Sequence, residues 1–148
     1  MGWIGNSLYG GDGTQTCHLN FFEWLGVDMG DPETRDDFEE QIRLRKTKLK
    51  PKYRQKIKDS VNIDTIIEKM PKAKKTNTGY SWDENSAMKW QMLLSLFTDN
   101  GIKAPKEILS KGISATEFLL GEHASSFNDP SARRRVLKRF LQRVEKVN

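Results

Sequence analysis

The chain has 148 residues, enough for one domain with a real core, and 36% of them are apolar. No run approaches the ~20 apolar residues that span a bilayer, and the opening lacks the basic start and long apolar stretch of a secretory signal. The net charge is +5, and the single cysteine, Cys17, excludes an internal disulfide and points to a reducing, cytoplasmic setting.

The charge is segregated along the chain. Residues 1–40 carry a net −8, residues 41–75 a net +10, residues 76–128 a net −2 and residues 129–148 a net +5. An acidic front and a basic middle either neutralise each other in the fold or form two separate binding surfaces.

Residues 1–13 hold five of the eleven glycines, with Trp3, Ile4, Leu8 and Tyr9 among them. This composition predicts an irregular segment whose aromatics dock on the core. Gly10, Gly11 and Gly13 flank Asp12, but no G-K-[ST] follows, so a phosphate loop has no support. A helix is predicted from Thr14 or Thr16 to Leu25, closed by Gly26. Cys17 and His18 are neighbours on it and point about 100° apart, which does not suit a Cys/His catalytic pair.

Asp31-Pro32 reads as cap plus first residue of the next helix, with Phe38 and Ile42 as its apolar contacts. Asp36 and Glu40 share a face of it and pair with nearby lysines or act as two carboxylates. The helix is predicted to end near Lys48. From residue 46 to 58 every second residue is basic: Lys46, Lys48, Lys50, Lys52, Arg54, Lys56 and Lys58. Pro51 argues against one continuous element, so a new helix is predicted from it, burying Tyr53 and Ile57. This dense cationic region suits a phosphate backbone, an acidic protein surface or the chain's own residues 23–40.

A short helix is predicted from Asn62 or Asp64 through Met70, followed by an exposed basic loop over residues 71–79 that carries Lys72, Lys74 and Lys75. The central element comes next. Over residues 81–97, Ala87, Trp90, Leu94 and Phe97 recur at spacings of three and four, with Met88, Leu93 and Leu96 beside them. That is a helix with a broad apolar face, to be covered on more than one side. Ser81 and Glu84 read as its capping box, and Asn100-Gly101 as its end. Ala104-Pro105 opens a short helix ended by Gly112, and a second box at Ser114 and Glu117 opens another, ended by Gly121. His123 has no second ligand at metal spacing. Asp129-Pro130 starts the last helix, whose stripe is Val136, Leu137, Phe140, Leu141 and Val144. Arg133, Arg134, Arg135, Lys138, Arg139, Arg143 and Lys146 supply a solvated face or an arginine-rich binding face.

Gly2, Gly5, Tyr9 and Asp12 in the opening M-G-W-I-G-N-S-L-Y-G-G-D-G-T resemble the M-G-x-x-G-x-x-x-[YF]-x-x-D start of small bacterial and phage proteins in a domain-of-unknown-function family. Trp90, Gly101, Ile108-Leu109, Gly112 and the basic C-terminal helix are similar in kind to that family's later part. The tryptophan falls at Trp3 rather than one position on, and the basic region 43–58 is not part of the pattern. The resemblance implies a bacterial or phage origin and no activity, and it carries over no catalytic residue.

These readings predict a single all-α domain over residues 1–148, with six or seven helices and segment 1–13 packed on a central helix at 81–98. A short hairpin at the N-terminus or around residues 46–58 is compatible with it. The expected function is a small non-catalytic binding protein acting on a macromolecular partner, of the immunity, antitoxin or phage–host inhibitor type. The alternative is a nucleic-acid-binding protein. Either way the partner-binding candidates are Lys46, Lys48, Lys50, Lys52, Tyr53, Arg54, Lys56, Lys58, Lys72, Lys74, Lys75, Arg133, Arg134, Arg139 and Arg143. An enzyme would draw on Asp12, Asp36 or Glu40. No cofactor, metal or membrane is expected, and the partner is an acidic protein or a nucleic acid.

Overall fold

The computed structural model describes residues 19–44, 49–77, 79–121 and 130–148. In chain order they form α1 (residues 19–24), α2 (Pro32–Leu44), α3 (Pro51–Ile57), α4 (Ser60–Lys69), β1 (Lys74–Thr76), β2 (Gly79–Ser81), α5 (Glu84–Thr98), α6 (Lys106–Leu120) and α7 (Pro130–Val147). The all-α expectation holds, with seven helices and one two-stranded ribbon among the described residues. No helix among them is long and apolar enough to cross a membrane. Segment 1–13, Thr14, Thr16, Cys17, His18, Lys46, Lys48, His123 and Asp129 lie outside the described residues.

The central helix is α5. Every residue from 90 to 98 is buried, including Gln91, Ser95 and Thr98. Its start differs from the expected box at Ser81. Asp83 is the cap, with Oδ1 accepting the Ser86 N–H at 2.8 Å and Oδ2 accepting the Ser86 hydroxyl at 2.9 Å. Those bonds hold the Asp83 carboxyl below its usual range, the backbone N–H of Ser86 first. Ser81 is instead the last residue of β2. The other end follows the sequence: Gly101 takes φ +69°, a left-handed conformation that favours glycine.

The two short helices expected around Gly112 are one continuous helix, α6. Gly112 does not stop it; it admits a neighbour. A Cβ at position 112 would lie 2.6 Å from the Leu94 Cβ, closer than two carbons can approach. The missing side chain lets α5 and α6 make the most extensive helix contact in the fold. In an exposed helix Gly→Ala gains about 1 kcal/mol. Here overpacking costs ~1–3 kcal/mol, so Gly112→Ala should lower stability in urea by about 1–2 kcal/mol. Leu94→Ala keeps the Cβ at 2.6 Å and removes only Cγ and Cδ2, at 3.1 and 2.7 Å, so added to Gly112→Ala it relieves part of the overlap, and the double variant should lose less than the two single losses summed.

The remaining elements wrap this pair. Phe21, Phe22 and Leu25 of the α1 region are buried, and the Phe22 ring meets Phe38 of α2 at 5.6 Å and Tyr53 of α3 at 5.1 Å. Asp31 caps α2 as expected, accepting the Thr34 N–H and hydroxyl at 3.2 and 3.1 Å. That helix is described over Pro32–Leu44, and its expected end near Lys48 lies outside the described residues. The expected helix from Pro51 forms, with Tyr53 and Ile57 buried. Among the described residues of 46–58 there is no strand. The α4 helix begins at Ser60 rather than Asn62 or Asp64, because Asp59 accepts the Val61 N–H at 2.8 Å and caps it.

Within the expected exposed basic loop 71–79, residues 71–73 are irregular, but Lys74–Thr76 pairs antiparallel with Gly79–Ser81, Lys74 opposite Ser81 and Lys75 opposite Tyr80. Strands of three residues are too short to show a period. Trp82 anchors the ribbon by donating its indole N–H to Ser114 Oγ at 3.0 Å. Ser114 therefore serves as a mid-helix acceptor, not as a cap. Trp90 donates its indole N–H to the Pro71 carbonyl at 2.8 Å, tying the approach to the ribbon down on α5.

Candidate polyanion-binding surface

The structure splits the sequence-predicted cations into two groups. Lys50, Lys52 and Tyr53 close onto the chain's own acidic helix α2. Asp37, whose side chain is 8% exposed, receives Lys50 Nζ at 2.5 Å, the Tyr53 hydroxyl at 2.6 Å and Lys52 Nζ at 3.3 Å. Lys52 also reaches Glu33 at 3.0 Å, and its ammonium lies 4.9 Å from the Tyr53 ring centroid. Lys50 and then Tyr53, by donating to it, hold the Asp37 carboxyl at about 2. Tyr53 is pushed up by burial first and by Asp37 next, and Lys50 and Lys52 are raised mainly by their carboxylate partners. These three residues are a clasp between α2 and α3, not a free surface. Asp36 and Glu40, the pair that drew notice in the sequence, are exposed on α2; Asp37 between them faces inward. Only the later residues that bind it reveal its role.

The clasp continues through Leu49, which is buried and donates its N–H to Asn100 Oδ1 at 2.7 Å. The same Asn100 donates its Nδ2 to the Leu96 carbonyl at 2.6 Å. Segment 49–53 is thus fixed to α2 on one side and to the end of α5 on the other.

Helix α7 is divided differently from the sequence reading. Arg133 is 2% exposed and lies on the buried line with Leu137, Phe140 and Val144, at spacings of four, seven and eleven. Burial brings its guanidinium down to about 9, so it still carries its proton at neutral pH. Arg143 binds Asp99 at 3.1 Å, pinning the end of α7 to the end of α5. Arg134 is half-buried. Of the four arginines expected on this helix to bind a partner, Arg139 alone faces fully outward without a partner among the described residues.

The outward line consists of Arg135, Lys138, Arg139, Gln142 and Lys146, all exposed. At 100° per residue they fall within about 100° of one another, and the line runs about 16 Å along the axis. Its four cations form no ion pair or hydrogen bond among the described residues, and the one acid of α7, Glu145, is exposed at its edge, about 20° beyond Lys138. Arg135, Lys138 and Lys146 belong to the basic face expected opposite the Leu137, Phe140 and Val144 stripe, and lie outside the residues expected to bind a partner. Lys72, Lys74 and Lys75 are exposed on and before β1, and Lys56 and Arg54 are half-exposed on α3.

No group of three or more His, Cys, Asp or Glu residues that can hold a metal ion occurs among the described residues. No protein-family model, curated protein or solved structure matches the chain.

Proposed function

We propose that the protein is a small binding protein without catalysis of its own, and that its macromolecular partner is a nucleic acid held by its phosphates along α7. The observation that carries this reading is the outward line of Arg135, Lys138, Arg139 and Lys146, with Gln142 among them. Protein–protein hot spots centre on aromatic and arginine anchors in desolvated pockets. This line has no aromatic or apolar residue, and its arginines are exposed. Such a surface gains its affinity by displacing counterions from phosphates, which reads backbone and not sequence. A nucleic-acid partner also agrees with the cytoplasmic setting that the lone cysteine suggests. An acidic protein partner, as an antitoxin or inhibitor would have, is the second reading, and the charge of the same line supports it.

Fluorescence anisotropy with a short labelled duplex, and with a single strand, tests the proposal. Affinity should fall with salt. Four neutralised phosphates give a log–log slope of about −3.6 on a duplex. Replacing Arg135, Lys138, Arg139 and Lys146 together by Gln, a good helix former, should remove most of the binding while the fold persists. Absence of binding at low salt, or unchanged binding by the fourfold variant, overturns it.

A further inference from the structure

A cleft of about 280 Å³ lies between α3 and the turn that ends α5, lined by Arg54, Gln55 and Lys58 from one side and Asn100, Gly101 and Ile102 from the other, with Pro51 at its edge. Arg54 and Lys58 stand four residues apart, so both side chains project from one face. Like charges at that spacing repel. Their juxtaposition in one cleft is therefore a feature that an anion would relieve.

The local groups that would otherwise explain these cations are occupied. No acid lines the cleft, and neither Arg54 nor Lys58 makes an ion pair among the described residues. Asp59, next in the chain, accepts the Val61 N–H, and Asp99 binds Arg143. The carbonyls at the end of α5 also have donors. Ser95 receives the Asp99 N–H, Phe97 those of Asn100 and Ile102, Thr98 that of Gly101, and Leu96 the Asn100 amide. Asn100 itself is spent on Leu49 and Leu96. What remains free toward the cleft is a planar guanidinium, an ammonium and the Gln55 amide.

We infer that this cleft is a binding site for the phosphate group of a small phosphorylated compound. A guanidinium offers two parallel N–H donors to a phosphate, and an ammonium adds a second positive charge, matching a dianion. The volume exceeds what one phosphate fills, and Ile102 and Pro51 give the carrier an apolar flank. The site shares no residue with the outward line of α7 and does not depend on it.

The test is a heteronuclear NMR titration of the full chain with inorganic phosphate and then pyrophosphate, at ionic strength held constant with chloride. Saturable shifts are expected at the Arg54 Nε–H and at the backbone N–H groups of Gly101 and Ile102. Arg54→Gln and Lys58→Gln should each weaken binding about tenfold, as loss of a charged hydrogen-bond donor does. Both positions are at least partly exposed, and an unchanged melting temperature confirms that the variants fold. The fourfold α7 variant should bind phosphate as the parent does, which separates this site from the nucleic-acid reading. Shifts that rise linearly without saturating, shifts centred on α7, or equal affinity in the Arg54→Gln, Lys58→Gln double variant each overturn the inference.

Discussion

Trp90→Ala should destabilise the protein by about 3–5 kcal/mol, the usual cost of emptying a large aromatic site in a core. Trp90 is 1% exposed and sits where several elements meet. Its ring lies 6.5 Å from Trp82, which in turn lies 5.8 Å from Tyr80 of β2. The Lys111 ammonium of α6 stands 5.0 Å from its centroid, with Glu107 holding the same lysine. Its indole N–H bonds the Pro71 carbonyl. Truncation therefore leaves a cavity, strips a carbonyl of its donor and frees the ribbon from α5. Trp90→Phe keeps much of the burial and loses the N–H bond, so it should cost clearly less. Urea unfolding of both variants measures this. A loss below about 1 kcal/mol for Trp90→Ala would mean that α5 is not the scaffold described above.

Asp37→Ala comes next in size, at about 2–3 kcal/mol. A charged acceptor is lost and the buried Tyr53 hydroxyl is left without one. Lys50 and Lys52 are largely exposed and rehydrate, so they contribute less to the loss. The pH dependence has a definite sign. The folded carboxyl titrates at about 2 against an ordinary 3.8, so the folded state prefers the ionised form. Its contribution is fully present above pH 4 and is lost as pH falls from there through 2. Asp37→Asn should flatten this acid limb of the stability curve. Equal acid limbs in the parent and Asp37→Asn would show that the clasp does not form.

Much of this architecture was legible in the sequence, and the parts that were not have identifiable causes. Local signals served where one element carries its own explanation: Asp31 before Pro32, Gly101 after α5, Tyr53 and Ile57 on α3, and the Leu137, Phe140 and Val144 stripe. Gly112 failed because a glycine in a helical pattern reads as a stop until the Leu94 side chain facing it is known. The ribbon failed because its strands are three residues long. Arg133 failed for a different reason. Its spacing from Leu137 and Phe140 was visible, but its charge argued for solvent.

The candidate site changed most. Alternation of Lys and Arg over residues 46–58 looked like one cationic surface. Among its described members, Lys50 and Lys52 are bound to α2, and Arg54 and Lys58 line a cleft. The pairing depends on residues 13 to 19 positions apart in the chain, which no local pattern shows. Of the two readings of the acidic front and the basic middle, neutralisation is seen in part, where Lys50 and Lys52 meet Asp37 and Glu33.

The most direct measurement compares nucleic-acid affinity and urea stability in three proteins: the parent, the Lys50→Gln, Lys52→Gln double variant, and the fourfold Gln variant of Arg135, Lys138, Arg139 and Lys146. If 50 and 52 form a clasp and α7 the binding surface, the double variant loses stability and, below its melting transition, keeps its affinity. The fourfold variant keeps its stability and loses its affinity. The reverse assignment, with affinity lost in the double variant and retained in the fourfold one, would contradict the account.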